Sequence, residues 1–180
     1  MGIAGNKGED AVLFCGLLYS DATAYNDAKT IVVENFGAVG QESAQFDWGY
    51  YQYYKDEIGQ PIYRRYITID GLFDTQTIAD VKHKTNGMEG RLSVHGRRRV
   101  NIDPGYITLA KVVLVSTKNY AHRIYLRDGI YAEITLIYYK DSFMPHLFTY
   151  PDYKEPATNE FLLHGRKVLK RMLRLSSVSI

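Results

Sequence analysis

The segment that most limits how this chain can fold is an uninterrupted apolar stretch near its start, Ala11–Tyr19, with the sequence AVLFCGLLY. It is far shorter than the roughly 20 residues that a helix needs to cross a bilayer. Acidic residues, Glu9 and Asp10, precede it, whereas a signal peptide begins with basic ones. A short apolar stretch of this kind is typical of a buried strand. We therefore expect a soluble, cytoplasmic protein that does not associate with membranes.

Helix and strand signals alternate along the next part of the chain. Ser20 or Asp21 can cap a helix that follows the first strand. Val39–Phe46 is a weak strand candidate, and β-branched and aromatic residues predict a strand over Ile62–Ile69. Asp74 can cap a second helix, because its carboxylate can accept from the free amides of a first turn. The first half of the chain therefore predicts a ferredoxin-like βαβ start.

Two further strands are expected in the middle of the chain. Alternating apolar residues favour a strand over Arg99–Asp103. Pro104-Gly105 follows it and is typical of a turn, since proline fixes φ and glycine allows a positive φ. Lys111–Thr117 is rich in β-branched residues, which favours a strand, with a helix over Leu109–Thr117 as the alternative.

The last third of the chain predicts a hairpin, a connector and a helix. His122–Leu126 and Ile130–Tyr139 are strand-like and flank the turn sequence Arg127-Asp128-Gly129. Residues 143–156 contain three prolines and are expected to form an ordered loop, and a helix is expected over residues 159–175. Together the elements predict an α+β fold with a mainly antiparallel sheet, helices packed on one face, a β-meander and a C-terminal helix.

Length and charge suit a single domain with one basic helix. The chain has 180 residues and no linker-like stretch, and residues 1–10 are glycine-rich and polar, so we expect one domain with a loose N-terminus. The net charge is only +2, yet residues 159–175 carry five basic side chains against one acidic one. The basic face of this amphipathic helix consists of Lys167, Lys170, Arg171 and Arg174. Such a face is either a solvated surface or a site for an anionic partner.

No common nucleotide-binding or hydrolase motif occurs in the sequence. There is no G-x-x-x-x-G-K-[ST] phosphate loop, no G-x-G-x-x-G after a strand and no G-x-S-x-G. The single cysteine excludes a disulfide framework, and the five histidines are dispersed, so a metal site would have to be assembled by the fold. The sequence therefore identifies no cofactor.

Polar side chains stand where the strands are expected to be apolar. Alternation places Arg99, Asn101 and Asp103 on one face of their strand, which presents a guanidinium, an amide and a carboxylate in a row. Arg65 lies on the apolar face of its strand, which is costly unless the guanidinium meets an anion. Asp103 or a phosphate of a substrate is the expected partner. The alternative is a solvent-facing edge of the sheet.

The hairpin carries a second polar group. Glu133 stands on one strand, and His122 stands at the start of the facing strand. A carboxylate and an imidazole on adjacent strands are the parts of a general acid–base pair, and equally of a satisfied hydrogen-bond network. The candidate catalytic residues are therefore His122, Glu133 and Asp103. The candidate ligand-binding residues are Arg65, Arg99, Asn101, Lys118, Arg123 and Tyr131.

Several strings of the sequence are distinctive. They are Phe14–Asp21, Tyr53-Tyr54, Arg64-Arg65, Thr85-Asn86, Arg99–Tyr106, Ser116–Lys118, His122–Leu126, Gly129–Glu133 and Thr149–Tyr153. On these strings the chain resembles a bacterial family of uncharacterised proteins, a domain of unknown function whose members often carry the label "GTP-binding protein". The resemblance covers most of Ala11–Tyr153 and implies no established activity. A GTPase of the usual kind needs a phosphate loop, so no GTP-binding residue follows from that label.

Three functions fit these features. The first is a site for an anionic small molecule that bears a phosphate or a carboxylate, with or without catalysis, because a planar guanidinium matches both groups. The second is a nucleic-acid-binding module in which some of the 16 tyrosines stack on bases and the basic face contacts phosphates. The third is a protein-interaction or homo-oligomer surface built from the aromatic residues of Phe46–Tyr54. We favour the first.

Overall fold

A ten-stranded antiparallel sheet forms the middle of the molecule. The computed structural model describes residues 8–178, and over these residues the chain forms ten strands and four α-helices. The predicted α+β class and the mainly antiparallel sheet are confirmed. Within the described part of the chain, no helix is both long and apolar enough to span a membrane.

Most elements lie close to their predicted positions. The strands are β1 (Asp10–Tyr19), β2 (Val39–Glu42), β3 (Phe46–Asp47), β4 (Tyr63–Ile69), β5 (Phe73–Asp74), β6 (Val100–Ile107), β7 (Lys111–Ser116), β8 (Ile124–Arg127), β9 (Ile130–Tyr139) and β10 (Ser142–Pro145). The α-helices are α1 (Ala22–Phe36), α2 (Gln52–Ile58), α3 (Ile78–Arg91) and α4 (Pro156–Val178). Short 3₁₀ turns cover Thr75–Thr77 and Pro151–Lys154. Strand β10 falls in the stretch that was expected to be a loop.

The first half of the chain has the ferredoxin-like arrangement that the sequence predicts. Strands β6, β1, β4 and β2 lie side by side in that order, and α1 and α3 connect them. The carboxylate of Asp21 accepts from the amide of Ala24 and so caps α1. The carboxylate of Asp74 accepts from the amide of Gln76 in the turn that leads into α3. The expected cap of α1 is therefore present, whereas Asp74 caps the 3₁₀ turn and α3 begins after Thr77 without a side-chain cap.

Strands β7 to β10 extend the sheet beyond β6 as the predicted meander. The Leu109–Thr117 region contains strand β7 and no helix, as its β-branched residues favour. Strands β8 and β9 form the predicted hairpin. Its turn residues Asp128 and Gly129 have φ values of 51° and 75°, the left-handed conformation that tight hairpin turns require.

Helices cover both faces of the sheet, which corrects the expectation that they pack on one. Helices α1 and α3 cover one face, where they bury Leu13 and Cys15 of β1. Helix α4 covers the other face and packs against a cluster that includes Val12 and Phe14 of the same strand. Both sides of β1 are buried, which explains why Ala11–Tyr19 is apolar throughout instead of alternating.

The two ends of the chain differ from the simplest expectation. The loose N-terminus expected over residues 1–10 falls mostly outside the described residues, but Asp10 already pairs with Asp74 in the sheet. Glu9 forms an ion pair with Lys111 of β7 at 2.7 Å. Helix α4 is longer than the expected span of residues 159–175, and the four side chains of its basic face are exposed.

Candidate functional site

Strands β6 and β7 pair along only part of their length. Their paired register runs from Gly105 to Ile107 of β6, whereas β6 continues back to Val100 beside β1. Pro104 is the first residue beyond the paired stretch. Because proline has no amide hydrogen to donate to a ladder, the pairing with β7 ends there and the two strands separate.

Side chains of α3 take the place of the missing strand. The amide of Ile102, two residues before Pro104, donates to Oε1 of Glu89 over 2.7 Å. The carbonyl oxygen of Ile102 lies 3.4 Å from Nζ of Lys82 and accepts from it. Both side chains are buried, so the backbone groups of β6 are satisfied although no strand lies beside them. The opening in the sheet is therefore a stable feature of the fold.

The sequence Asp103-Pro104-Gly105 forms no turn, contrary to the prediction. All three residues lie inside β6, and the φ of Gly105 is not positive. Glycine is required here by a close approach instead. A Cβ at Gly105 would lie 2.5 Å from the carbonyl oxygen of Val113 and 2.7 Å from Cζ of Phe14. Proline thus ends the ladder, and glycine lets β7 come close where the ladder resumes.

The opening between β6 and β7 is a cavity of about 480 Å³. Its wall contains as many cations as carboxylates, namely Arg64, Lys82, Arg98, Lys118 and Arg123 against Glu57, Glu89, Asp103, Glu133 and Asp152. Aromatic side chains of the Phe46–Tyr54 segment cover one side. Trp48 is buried there and contacts Tyr54 edge-on, with 5.2 Å between the ring centres. Lys118 and Tyr53 line the cavity and are exposed, so they mark its mouth.

Arg64 is one of the most enclosed charges of the wall. Its side chain is 4% exposed, its Nε donates to Oδ2 of Asp152 over 2.9 Å, and its Nη2 lies 2.7 Å from the same oxygen. Asp152 is equally buried and also accepts from the hydroxyl of Tyr66 at 3.2 Å. The guanidinium lies over the Tyr66 ring, 5.0 Å from its centre. A buried pair of this kind is costly to break, because either partner alone would be an uncompensated charge.

Asp103 lies at the floor of the cavity. Its carboxylate accepts from Nδ2 of Asn101 at 2.6 Å and lies 3.5 Å from Nη1 of Arg64 and 3.7 Å from Nζ of Lys82. Burial by itself would raise the pKa of Asp103, but Lys82 and Arg64 outweigh it, so the pKa lies below its ordinary value. Although the side chain of Asp103 lies deep in the fold, 28% of its surface is exposed, and this surface faces the cavity.

A second charged cluster lies on the hairpin side of the cavity. Oε2 of Glu133 accepts from Nε of Arg123 at 2.6 Å and lies 3.0 Å from Nε2 of His122. Arg123 also donates to the backbone carbonyl of Lys118 at 2.8 Å and to the hydroxyl of Tyr150 at 2.7 Å. The buried guanidinium of Arg123 therefore fixes the backbone of the residue at the mouth.

Arg98 joins the two helices that flank the cavity. Its guanidinium contacts Glu57 of α2, and Nη1 donates to Oε2 of Glu89 of α3 at 2.9 Å. The same nitrogen donates to Oδ1 of Asn101 at 3.2 Å. Helix α2, which is only seven residues long, is thus held against the rest of the wall by charge pairing.

The sequence of this chain matches one protein-family model. A model described as a domain of unknown function, DUF4416, matches residues 9–168, a range that includes every residue of the cavity wall. The chain belongs to the DUF4416 family. No curated protein and no solved structure matches it.

The DUF4416 cavity collects most of the site residues that the sequence predicts. Those that line it are Asn101, Asp103, Lys118, Arg123 and Glu133. His122 contacts Glu133 but is not part of the wall. Two groups that were predicted separately, one on β6 and one at the hairpin, therefore face the same space. Among residues 8–178 no group of three or more metal-ligating side chains is placed to hold a metal ion.

Arg65 is not part of the cavity wall and lies on the face of the DUF4416 sheet that α1 covers. Its Nη1 is 2.5 Å from Oε1 of Glu42, and its guanidinium lies over the ring of Tyr25. Glu42, and not Asp103, is therefore its partner. The prediction that Arg65 shares the apolar face of β4 is right, but its neighbour Arg64 is the guanidinium that reaches Asp103.

Arg99 and Tyr131 also lie outside the cavity wall of the DUF4416 fold. Arg99 precedes the first residue of β6, so it does not continue the alternation of that strand. Its guanidinium instead contacts Asp27 of α1 at 3.1 Å. Tyr131 packs edge-on against Tyr125 within the hairpin, with 5.4 Å between the ring centres.

Sequence reasoning missed six of the ten charged residues in the wall of the DUF4416 cavity. The missed residues are Arg64, Lys82, Arg98, Glu57, Glu89 and Asp152. Lys82 and Glu89 look like ordinary polar positions of a helix, and nothing local shows that they replace a strand. Arg64 and Asp152 stand inside strings that carry the family resemblance, so a signal for them existed.

Three buried atoms of the wall have no hydrogen-bond partner among the described residues. They are Nη1 of Arg64, Nε1 of Trp48 and the hydroxyl of Tyr153. The 3.5 Å that separates Nη1 of Arg64 from Asp103 is longer than an N–H···O hydrogen bond. All three groups can donate, and an unpaired buried donor costs about 1–3 kcal/mol. Because these atoms are themselves enclosed by the wall, they do not face the open part of the cavity.

Proposed function

We propose that the cavity between β6 and β7 binds an anionic small molecule that carries a phosphate or a carboxylate. The observation that carries this proposal is the exposed ammonium of Lys118 at the mouth of the cavity, which has no carboxylate partner among the described residues. Ligand sites are typically concave and partly aromatic, with a few polar groups that converge on the bound molecule. A ligand that brings a negative charge would pair with this ammonium.

The pairing of charges supports an anion in particular. Each carboxylate of the wall has a cationic partner, as Asp152 has Arg64 and Glu133 has Arg123. Lys118, in contrast, has no carboxylate partner among the described residues, and its ammonium lies over the ring of Tyr53, 5.1 Å from the centre. A cation at the mouth without a carboxylate partner favours a ligand that brings the negative charge.

The proposal is tested by calorimetric titration of the full chain with methyl phosphate, phosphoglycolate and citrate. We expect at least one of them to bind, and Lys118→Met to weaken its affinity about tenfold or more, because a hydrogen bond to a charged group contributes about 1.5–3 kcal/mol. Lys84→Met makes the same change on an exposed lysine of α3 that does not line the cavity, and it should leave the affinity unchanged. If none of the three anions binds at about 10 mM, the proposal is wrong.

A second candidate function rests on α4. The basic face of this helix is exposed, and none of its four side chains has a carboxylate partner among the described residues. A surface of this kind can contact the phosphates of single-stranded nucleic acid. We expect any such binding to a labelled oligouridine to weaken steeply between 50 and 200 mM salt, roughly as counterion release requires. Absence of binding at the lower salt concentration would remove this candidate without affecting the cavity.

A further inference from the structure

The floor of the cavity offers an acceptor to a ligand. The side chain of Asp103 is 28% exposed, whereas Nη1 of Arg64, which lies 3.5 Å from its Oδ2, is enclosed by the protein. The charge of a phosphate or carboxylate placed here would be repelled by the aspartate. A hydroxyl group can instead donate to it.

Asp103 is available for such a contact. Its Oδ1 is 3.7 Å from Nζ of Lys82, beyond hydrogen-bond distance, so this oxygen keeps its lone pairs free within the described contacts. Because Lys82 and Arg64 lower the pKa of Asp103, the group is a carboxylate at neutral pH and can only accept. The groups that it can bind are therefore O–H or N–H donors.

The cover of the cavity suits the carbon skeleton of a polyol. Trp48 and Tyr54 stand perpendicular to each other beside the floor, and both also have a polar tip. An aromatic face packs against the C–H groups of a sugar ring, while the hydroxyls around that ring point to polar side chains. A space of about 480 Å³ holds a molecule of that size and is at the lower end of the usual range for ligand sites.

We propose that the ligand is a phosphorylated or carboxylated sugar or polyol. Its hydroxyls donate to Asp103 at the floor, and its anionic group stays near Lys118 at the mouth. This inference rests on the proposed function, and it adds the hydroxyl groups that a simple anion lacks.

The first test compares ligands on the unaltered protein. Glucose 6-phosphate, ribose 5-phosphate and glucuronate carry both an anion and neighbouring hydroxyls, whereas methyl phosphate and acetate carry only the anion. We expect at least one of the first three to bind tenfold or more tightly than the simple anion with the same charged group, since an additional hydrogen bond to the charged Asp103 is made. Whether the phosphates or glucuronate show the gain distinguishes the two anionic groups.

The second test uses variants of the two ends of the cavity. Asp103→Asn should lower the affinity for the preferred hydroxylated probe about tenfold and should not lower the affinity for methyl phosphate. Lys118→Met should lower the affinity for both probes by a similar factor. Lys84→Met is the control that should change neither. If Asp103→Asn does not fold, the comparison of ligands on the unaltered protein still tests whether hydroxyl groups contribute to binding.

The outcomes separate the two proposals. If methyl phosphate or acetate binds as tightly as every hydroxylated probe, the sugar inference is overturned and the anion site stands. Equal weakening of both probes by Asp103→Asn would also overturn it, because Asp103 would then only shape the site. If no anion binds at all, both proposals are wrong.

Discussion

Arg64→Leu is expected to lower the free energy of unfolding by about 3–5 kcal/mol. The substitution leaves Asp152 buried at 3% exposure without its cation and also removes one of the two cations near Asp103. Loss of one partner from a buried ion pair typically costs this much, because the remaining charge cannot be resolvated. Urea denaturation followed by circular dichroism measures the change.

Arg65→Leu is the matched control for this prediction. The two arginines are adjacent in β4, but the side chain of Arg65 is 30% exposed and its partner Glu42 is 25% exposed. Partly exposed pairs contribute about 0–1 kcal/mol, so the control should cost no more than about 1 kcal/mol. Equal losses in the free energy of unfolding for the two variants would contradict the burial of the Arg64–Asp152 pair.

Gly105→Ala is expected to cost about 3 kcal/mol, at the upper end of the usual range for overpacking. The added methyl group would lie 2.5 Å from the carbonyl oxygen of Val113 and within 2.8 Å of Phe14 and Leu114. A backbone carbonyl cannot rotate away as a side chain can, so β6 and β7 would have to separate further. The same denaturation experiment measures the loss.

Gly87→Ala is the control for the prediction on Gly105, and its effect on the free energy of unfolding should have the opposite sign. Gly87 lies inside α3, and no atom outside its own helix would come within 4 Å of the new methyl group. Alanine in a helix interior is more stable than glycine by about 0.5–1 kcal/mol. A stabilisation by Gly105→Ala would contradict the close approach of the two strands.

The central elements were predictable because their signals are local. An apolar stretch in β1 and a capping carboxylate at Asp21 depend on neighbouring residues alone, and the structure bears them out. The hairpin turn is equally local, because Asp128-Gly129 can adopt the positive φ values that the turn requires.

The packing of helices on both faces was not predictable in the same way. The alternation in β4 correctly places Arg65 on the face covered by α1, and it places Arg64 on the other face. Helix α4 then covers the other face from more than eighty residues away, since Asp152 just before it is 88 residues from Arg64. Burial of Arg64 therefore follows from tertiary contacts that no local pattern contains.

The separation of β6 and β7 was also hidden in the sequence. Pro104-Gly105 looks like a turn because both residues favour turns, but each has a different role inside a strand. Pro104 faces the side on which β7 would pair, and only the three-dimensional register reveals that orientation. The replacement of a strand by Lys82 and Glu89 follows from the same register.

The most direct measurement of the binding proposal uses the only tryptophan of the chain, Trp48, which lines the cavity. In a spectrum of nitrogen-15-labelled protein its indole N–H gives one resolved signal. We expect that signal to shift progressively on titration with glucose 6-phosphate, to saturate with the dissociation constant found by calorimetry, and to respond about tenfold more weakly in Lys118→Met. Calorimetric binding that leaves the Trp48 signal unmoved would contradict the assignment of this cavity as the ligand site.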